Sequence, residues 1–118
     1  MLSEIITYFQ SRLTIPIYFD MVPETTNPPF TVLEVNEVIP KYTSGTSYFE
    51  EATITLHTYA PSMADLETYV GMIQSAFDLE QFHSDCISSL RTKTQYHSVS
   101  GNVYLSMNEY RLQWKRNK

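Results

Sequence analysis

Three histidines, one cysteine and a few paired carboxylates are the side chains of this sequence that could do chemistry. His57, His83 and His97 are scattered, and no two share the i,i+3 or i,i+4 spacing that lets one helix hold a metal with both. A metal site would need ligands converging from separate elements. Histidines facing solvent from strands or loops are the plainer reading. Cys86 follows His83 and Asp85 closely enough to suggest a Cys–His nucleophile. A neighbour three residues away in a loop or strand start does not create that geometry, so a half-buried thiol is expected. Glu50 and Glu51 are adjacent and on a strand point to opposite faces, and Glu34 and Glu37 form a second candidate carboxylate pair. No Gly-rich phosphate loop, G-x-S-x-G or H-E-x-x-H motif occurs. The expectation is a chain without catalytic residues, metal or cofactor.

The elements that must position these residues are clearest at 52–77. Ala52, Ile54, Leu56 and Ala60 alternate with Thr53, Thr55, His57 and Tyr59, the period of a half-buried strand. Pro61 stops the ladder. Ser62, with Asp65 three residues on, opens a helix as a capping box in which Asp stands in for Glu. Leu66, Tyr69, Val70, Ile73, Ala76 and Phe77 then recur at helical spacing. Gly71 inside that helix costs about 1 kcal/mol relative to Ala, so it marks an expected close approach of helix to sheet.

Upstream, Leu2, Ile5, Ile6, Phe9 and Leu13 predict an amphipathic helix over 3–13. Pro16 ends it, and a short strand follows at 15–19. Residues 22–29 read as a loop, 30–38 as a strand of unassigned face, and 40–47 as the turn of a long hairpin whose tip is expected to be mobile. After the connection at 78–84, a polar strand over 86–97, a turn at 98–102 and a last strand over 103–114 are expected. Val103, Leu105 and Met107 fall on one face of the last strand, and Tyr110, Leu112 and Trp114 on the other. A bulge near Asn108 would reconcile the two sets. The order α-β-β-β-α-β-β predicts a single α+β domain over 1–118: two layers, with a mostly antiparallel sheet of four or five strands and both helices on one face. A flexible basic tail is expected from about 115.

The 118 residues fit one domain, and no run reaches the ~18 apolar residues of a membrane span. A lone cysteine excludes a disulfide framework, and a soluble chain folding in a reducing cytoplasm is expected. The net charge of −5 hides a split: residues 1–90 hold twelve acidic groups against Arg12 and Lys41, while 91–118 hold six basic groups against Glu109. Such a split is either a solvated surface with a basic tail or two complementary patches for head-to-tail packing of identical subunits. Nine tyrosines exceed what a core this small can bury with satisfied hydroxyls, which leans towards interfaces.

Several segments in order resemble the tail-completion, or tail-terminator, proteins of tailed bacteriophages. They are Tyr18-Phe19-Asp20-Met21-Val22-Pro23, then Pro29-Phe30-Thr31-Val32-Leu33-Glu34, the strand and helix from Ala52 to Phe77, and the aromatic-rich close from Tyr104 to Trp114. The resemblance implies a homo-oligomeric ring, a hexamer, at the head-proximal end of a tail. Such a ring, assembled in the host cytoplasm and carried in the virion, caps the tail-tube protein and joins it to neck and connector proteins. DNA would pass through without specific binding, and no membrane is involved. A head-completion or stopper ring and a stand-alone α+β module for a ligand or peptide are the alternatives. Candidate interface residues are Lys41, Tyr42, Tyr48, Arg91, Lys93 and Arg111.

Overall fold

Seven elements follow one another in the expected order. They are α1 (Leu2–Arg12), β1 (Ile17–Phe19), β2 (Phe30–Tyr42), β3 (Ser47–Ala60), α2 (Met63–Phe77), β4 (Cys86–Ser100) and β5 (Val103–Asn117). The structure is a computed structural model that describes residues 2–22, 27–42, 47–77, 86–100 and 102–117. The strands form one sheet in the order β1-β2-β3-β5-β4, in which β1 runs parallel to β2 and every other pair is antiparallel.

The Ser62 hydroxyl accepts the Asp65 N–H at 3.2 Å, the N-cap expected of this junction, and the Ser62 carbonyl accepts the first helical bond from Leu66 at 3.0 Å. α2 then turns Leu66, Val70, Ile73 and Ala76 onto the sheet. Phe9 and Leu13 join them from the end of α1, with Ile15 beyond it. Opposite lie Leu33, Ala52, Ile54, Leu56, Tyr110, Leu112 and Trp114. Each fully buried Leu, Ile or Phe here contributes roughly 1.5–3 kcal/mol relative to exposure. Tyr8 ties the two helices together by donating its hydroxyl to the Ala76 carbonyl at 3.1 Å.

Gly71 is not a point of close approach. It is exposed, and a Cβ built there meets nothing within 4 Å. The helix needs no glycine there for packing.

β5 also differs from expectation. Its register with β3 runs unbroken from Tyr104 to Asn117, so there is no bulge at Asn108. The two apolar sets lie on opposite faces because they meet different surroundings. Tyr110, Leu112 and Trp114 face the helices, while Val103, Leu105 and Met107 lie half-buried on the other side. Bulges occur instead in β2 at Asn36 and in β4 between Arg91 and Lys93. The ladder extends to residue 117, so 115–117, expected as a flexible tail, are paired with 47–49. Likewise residues 40–42 and 47–49, within the 40–49 tip expected to be mobile in the monomer and ordered only in the assembly, lie in paired strands, and 43–46 lie outside the described residues.

On the helix side the core is interrupted by a polar row. Thr31, Thr58, Ser106 and Asn108 are fully buried there. The Thr31 and Thr58 hydroxyls lie 3.1 Å apart. Thr94 donates to Asn108 Oδ1 at 2.9 Å, and the Asn108 amide donates to Ser106 at 3.3 Å. This row separates the main apolar cluster from a smaller one of Ala60, Leu66 and Val70. A satisfied buried network of this kind fixes strand register, because a slip would leave its donors unpaired.

Strands of 13 to 15 residues are much longer than the helices can cover. Fifteen residues of strand span about 50 Å, in keeping with a long axis of 54 Å, whereas the 15 residues of α2 span about 22 Å. With both helices on one face, no helix among the described residues lies over the opposite face of the sheet.

Candidate functional site on the open face of the sheet

The uncovered face carries a groove of about 480 Å³ lined by Asp20, Val22, Phe30, Val32, Glu34, His57 and Tyr59. Its position follows from local sequence. The loop before β2 closes on the β2 backbone: Thr31 N–H donates to the Pro16 carbonyl and Asp20 N–H to the Leu33 carbonyl, both at 2.9 Å. Asp20 takes a left-handed backbone (φ 69°), a conformation few non-glycine residues adopt but one that Asp tolerates better than most. This places its side chain at the rim.

Phe30 and Tyr59, opposite each other in the β2–β3 ladder, stack at 4.9 Å with 28° between planes, and Tyr18 meets the Phe30 ring edge-on at 6.2 Å. Farther along the same face, His57 Nε2 lies 2.9 Å from Glu34 Oε2. The Glu34 side chain is 49% exposed and that of His57 19%, so solvent screens the pair and its worth is at most about 1 kcal/mol. The arrangement is an aromatic floor with carboxylates at its rim. It suits a cation carried on an apolar stem, which can lie along the rings and place its charge between Asp20 and Glu34.

The six candidate interface residues do not form one patch. Lys41, Tyr42 and Tyr48 lie on the hairpin, Lys41 opposite Phe49 and Tyr42 opposite Tyr48, and their side chains lie outside the described residues. Arg111 is four residue rows away, roughly 14 Å, and its Nε is 3.5 Å from Glu51, which also accepts from Gln113 at 2.9 Å. Arg91 and Lys93 are exposed on β4, at the edge opposite β1. Of the residues first considered for chemistry, Glu50 and Glu51 do not converge on one site. Glu34 finds His57 rather than Glu37. His97 is exposed, and His83 and the Cys86 side chain lie outside the described residues. Among the described residues no three His, Cys, Asp or Glu side chains gather as metal ligands would, and no helix is long and apolar enough to cross a membrane.

The fold defines a class: a single five-stranded α+β sheet, helices on one face only, long hairpins at both ends. No protein-family model and no curated protein matches the chain. Among solved structures it is similar to a chain from the virion of native gene transfer agent (GTA) particle, with a TM-score of 0.56 and 12% identity, covering 87% of this chain and 80% of that one. A second solved protein, whose name carries no function, is similar over 100% of this chain and 97% of its own, with a TM-score of 0.55 and 10% identity. At these identities the likeness is one of fold.

Proposed function

We propose that the chain is a structural protein of a phage-like particle and, more narrowly, that it forms a ring capping the head-proximal end of the tail tube. The observation that carries the broader reading is the shared fold, over most of both chains, with a chain of a gene transfer agent virion. The narrower reading draws on the tail-completion resemblance and on a sheet in which, among the described residues, β4 and most of β2 are unpaired edges, which an assembly would cover. On this reading the protein is not an enzyme. The ring is homo-oligomeric, with tail-tube and neck proteins as its neighbours, and the acidic excess before residue 90 keeps DNA from adhering as it passes.

The test is deletion of its gene in the host that makes the particles, followed by imaging and protein analysis of what is released. Tail tubes of uncontrolled length joined to no head support a terminator. Normal tails beside heads that lose their DNA point to a neck stopper instead. Unchanged particles lacking the chain would remove the structural reading. The groove favours a second reading, a stand-alone module that binds a cationic ligand or peptide. Unchanged particles would bring that reading forward.

A further inference from the structure

We propose that the groove is an arginine site. It takes one arginine side chain carried by an extended segment of another protein, with the guanidinium against Tyr59 and between the Asp20 and Glu34 carboxylates. Such a site rests on the groove being one for cations, as read above, and it needs no ring.

The fold sets two acids side by side without a cation for both. The β1–β2 register pairs Phe19 with Leu33, and the Asp20 N–H donates to the Leu33 carbonyl at 2.9 Å, so Asp20 comes level with Glu34. Like charges on facing positions of neighbouring strands are destabilising. Among the described residues Glu34 has the His57 imidazole and Glu51 has Arg111, while no ion pair takes in Asp20. The backbone that brings Asp20 there is itself a costly one, left-handed at φ 69°, of the kind that gathers at ligand clamps.

The acceptors favour a guanidinium over an ammonium. Glu34 turns Oε2 to His57 Nε2 at 2.9 Å, which holds the carboxylate in place and leaves Oε1 for a ligand. Two neighbouring carboxylates match the five N–H donors of an arginine fork, whereas an ammonium offers three donors on a strongly hydrated point charge. Of the stacked rings, Phe30 is buried and Tyr59 half-buried, so the ring that a ligand meets is that of Tyr59. A guanidinium lies flat on such a ring.

The margin of the groove favours an arginine that arrives on a polypeptide. Phe19 and Met21, the two neighbours of Asp20, are 48% and 78% exposed. A free guanidinium compound would leave this apolar surface in water, whereas the residues that flank an arginine in a chain would cover it.

The test is a titration of the isotope-labelled full chain, followed through its amide resonances, with blocked tripeptides that carry arginine, lysine or citrulline between glycines. The arginine peptide should move the amides of residues 30–34 and 57–59. It should bind about threefold or more tighter than the lysine peptide, and about tenfold or more tighter than uncharged citrulline. Leucines in place of the glycines should tighten it further, and methylguanidinium should bind more weakly than any arginine peptide. Asp20→Asn, which tolerates the left-handed backbone, and Glu34→Gln should each weaken arginine about fivefold or more while melting as wild type. Tyr59→Leu should erase the preference for arginine over lysine; should that chain fail to fold, the two carboxylate variants decide. Lysine bound as well as arginine would overturn the arginine site and leave a general site for cations. No movement with any peptide would overturn the cation reading as well. Methylguanidinium bound as tightly as the peptides would overturn the polypeptide partner. Sedimentation of the chain alone completes the test: self-association that is lost in the Asp20→Asn/Glu34→Gln chain would give the groove to a second copy and overturn an outside partner.

Discussion

The buried pair Thr31 and Thr58 offers a sharp test of what holds the sheet in register. Both side chains are fully buried, on neighbouring strands, with their hydroxyl oxygens 3.1 Å apart. Changing either one to Val keeps shape and β-branching but leaves the other hydroxyl buried without its partner. Stranding a buried hydroxyl costs about 1–3 kcal/mol, so each single variant should lose about 1.5 kcal/mol. The double variant removes both polar groups and replaces them with methyls of similar volume, which is close to neutral. Expected loss there is below about 1 kcal/mol, giving a coupling of about 2 kcal/mol between the two sites. Urea unfolding followed by the single tryptophan, Trp114, which is buried in the core, reads this directly. With a slope near 2 kcal/mol per molar urea, each single variant should lower the midpoint by about 0.8 M, and the double by about half of that or less. A double variant whose loss equals the sum of the two singles would show that the hydroxyls satisfy each other in no meaningful way, and the argument for a register-fixing row would fall.

Gly71→Ala should raise stability by about 0.5–1 kcal/mol, since the site is exposed and an added Cβ meets open space; a lower urea midpoint would contradict that geometry. Ile73→Asp places a charge where the side chain is fully buried and should cost several kcal/mol, enough to prevent cooperative folding, whereas Ile73→Val should cost about 0.5–1.5 kcal/mol. A cooperatively unfolding Ile73→Asp chain would mean that the face is misassigned. Arg111→Ala should cost under about 1 kcal/mol, and less still in high salt, because the Arg111 side chain is 52% exposed in its pair with Glu51. A larger or salt-independent loss in thermal melting would point to a packing role for the guanidinium stem.

Alternating and helical periods in the sequence were enough to read α2, β3 and the cap between them, since Ala52, Ile54, Leu56 and Ala60 share one face of β3 and Leu66, Val70, Ile73 and Ala76 one face of α2. β2 resisted because of Asn36. This residue stands outside the ladder, so Leu33, Val35 and Val38, which change parity along the chain, all lie on the helix side, opposite Leu56, Ile54 and Ala52. The same half-step brings Glu34 diagonally next to His57. Without the bulge, the hairpin turn would set Glu34 against Leu56 and hide the pair. The nearest sequence signal is the polar run Glu34, Asn36, Glu37, which does not by itself say which residue leaves the ladder. β5 resisted for the opposite reason. A break of phase in its apolar residues looks like a bulge, but it records a straight strand passing from one environment to another, with Ser106 and Asn108 in the polar row between. Gly71 carried no packing message at all.

β1 contributes only three residues, paired on one side to β2, beside strands four to five times as long. Segments anchored by so few hydrogen bonds open locally at a small fraction of the free energy of global unfolding. The segment that follows β1 supplies Asp20 and Val22 to the groove. Local opening of β1 would leave the groove without one wall. Whatever binds there first selects the closed form, and its apparent affinity is lowered by the fraction of time the wall is open. Occupancy would reach the rest of the chain as slowed amide exchange at 17–20 and 31–33, while the long ladders of β3, β4 and β5, protected with or without a partner, would hardly change.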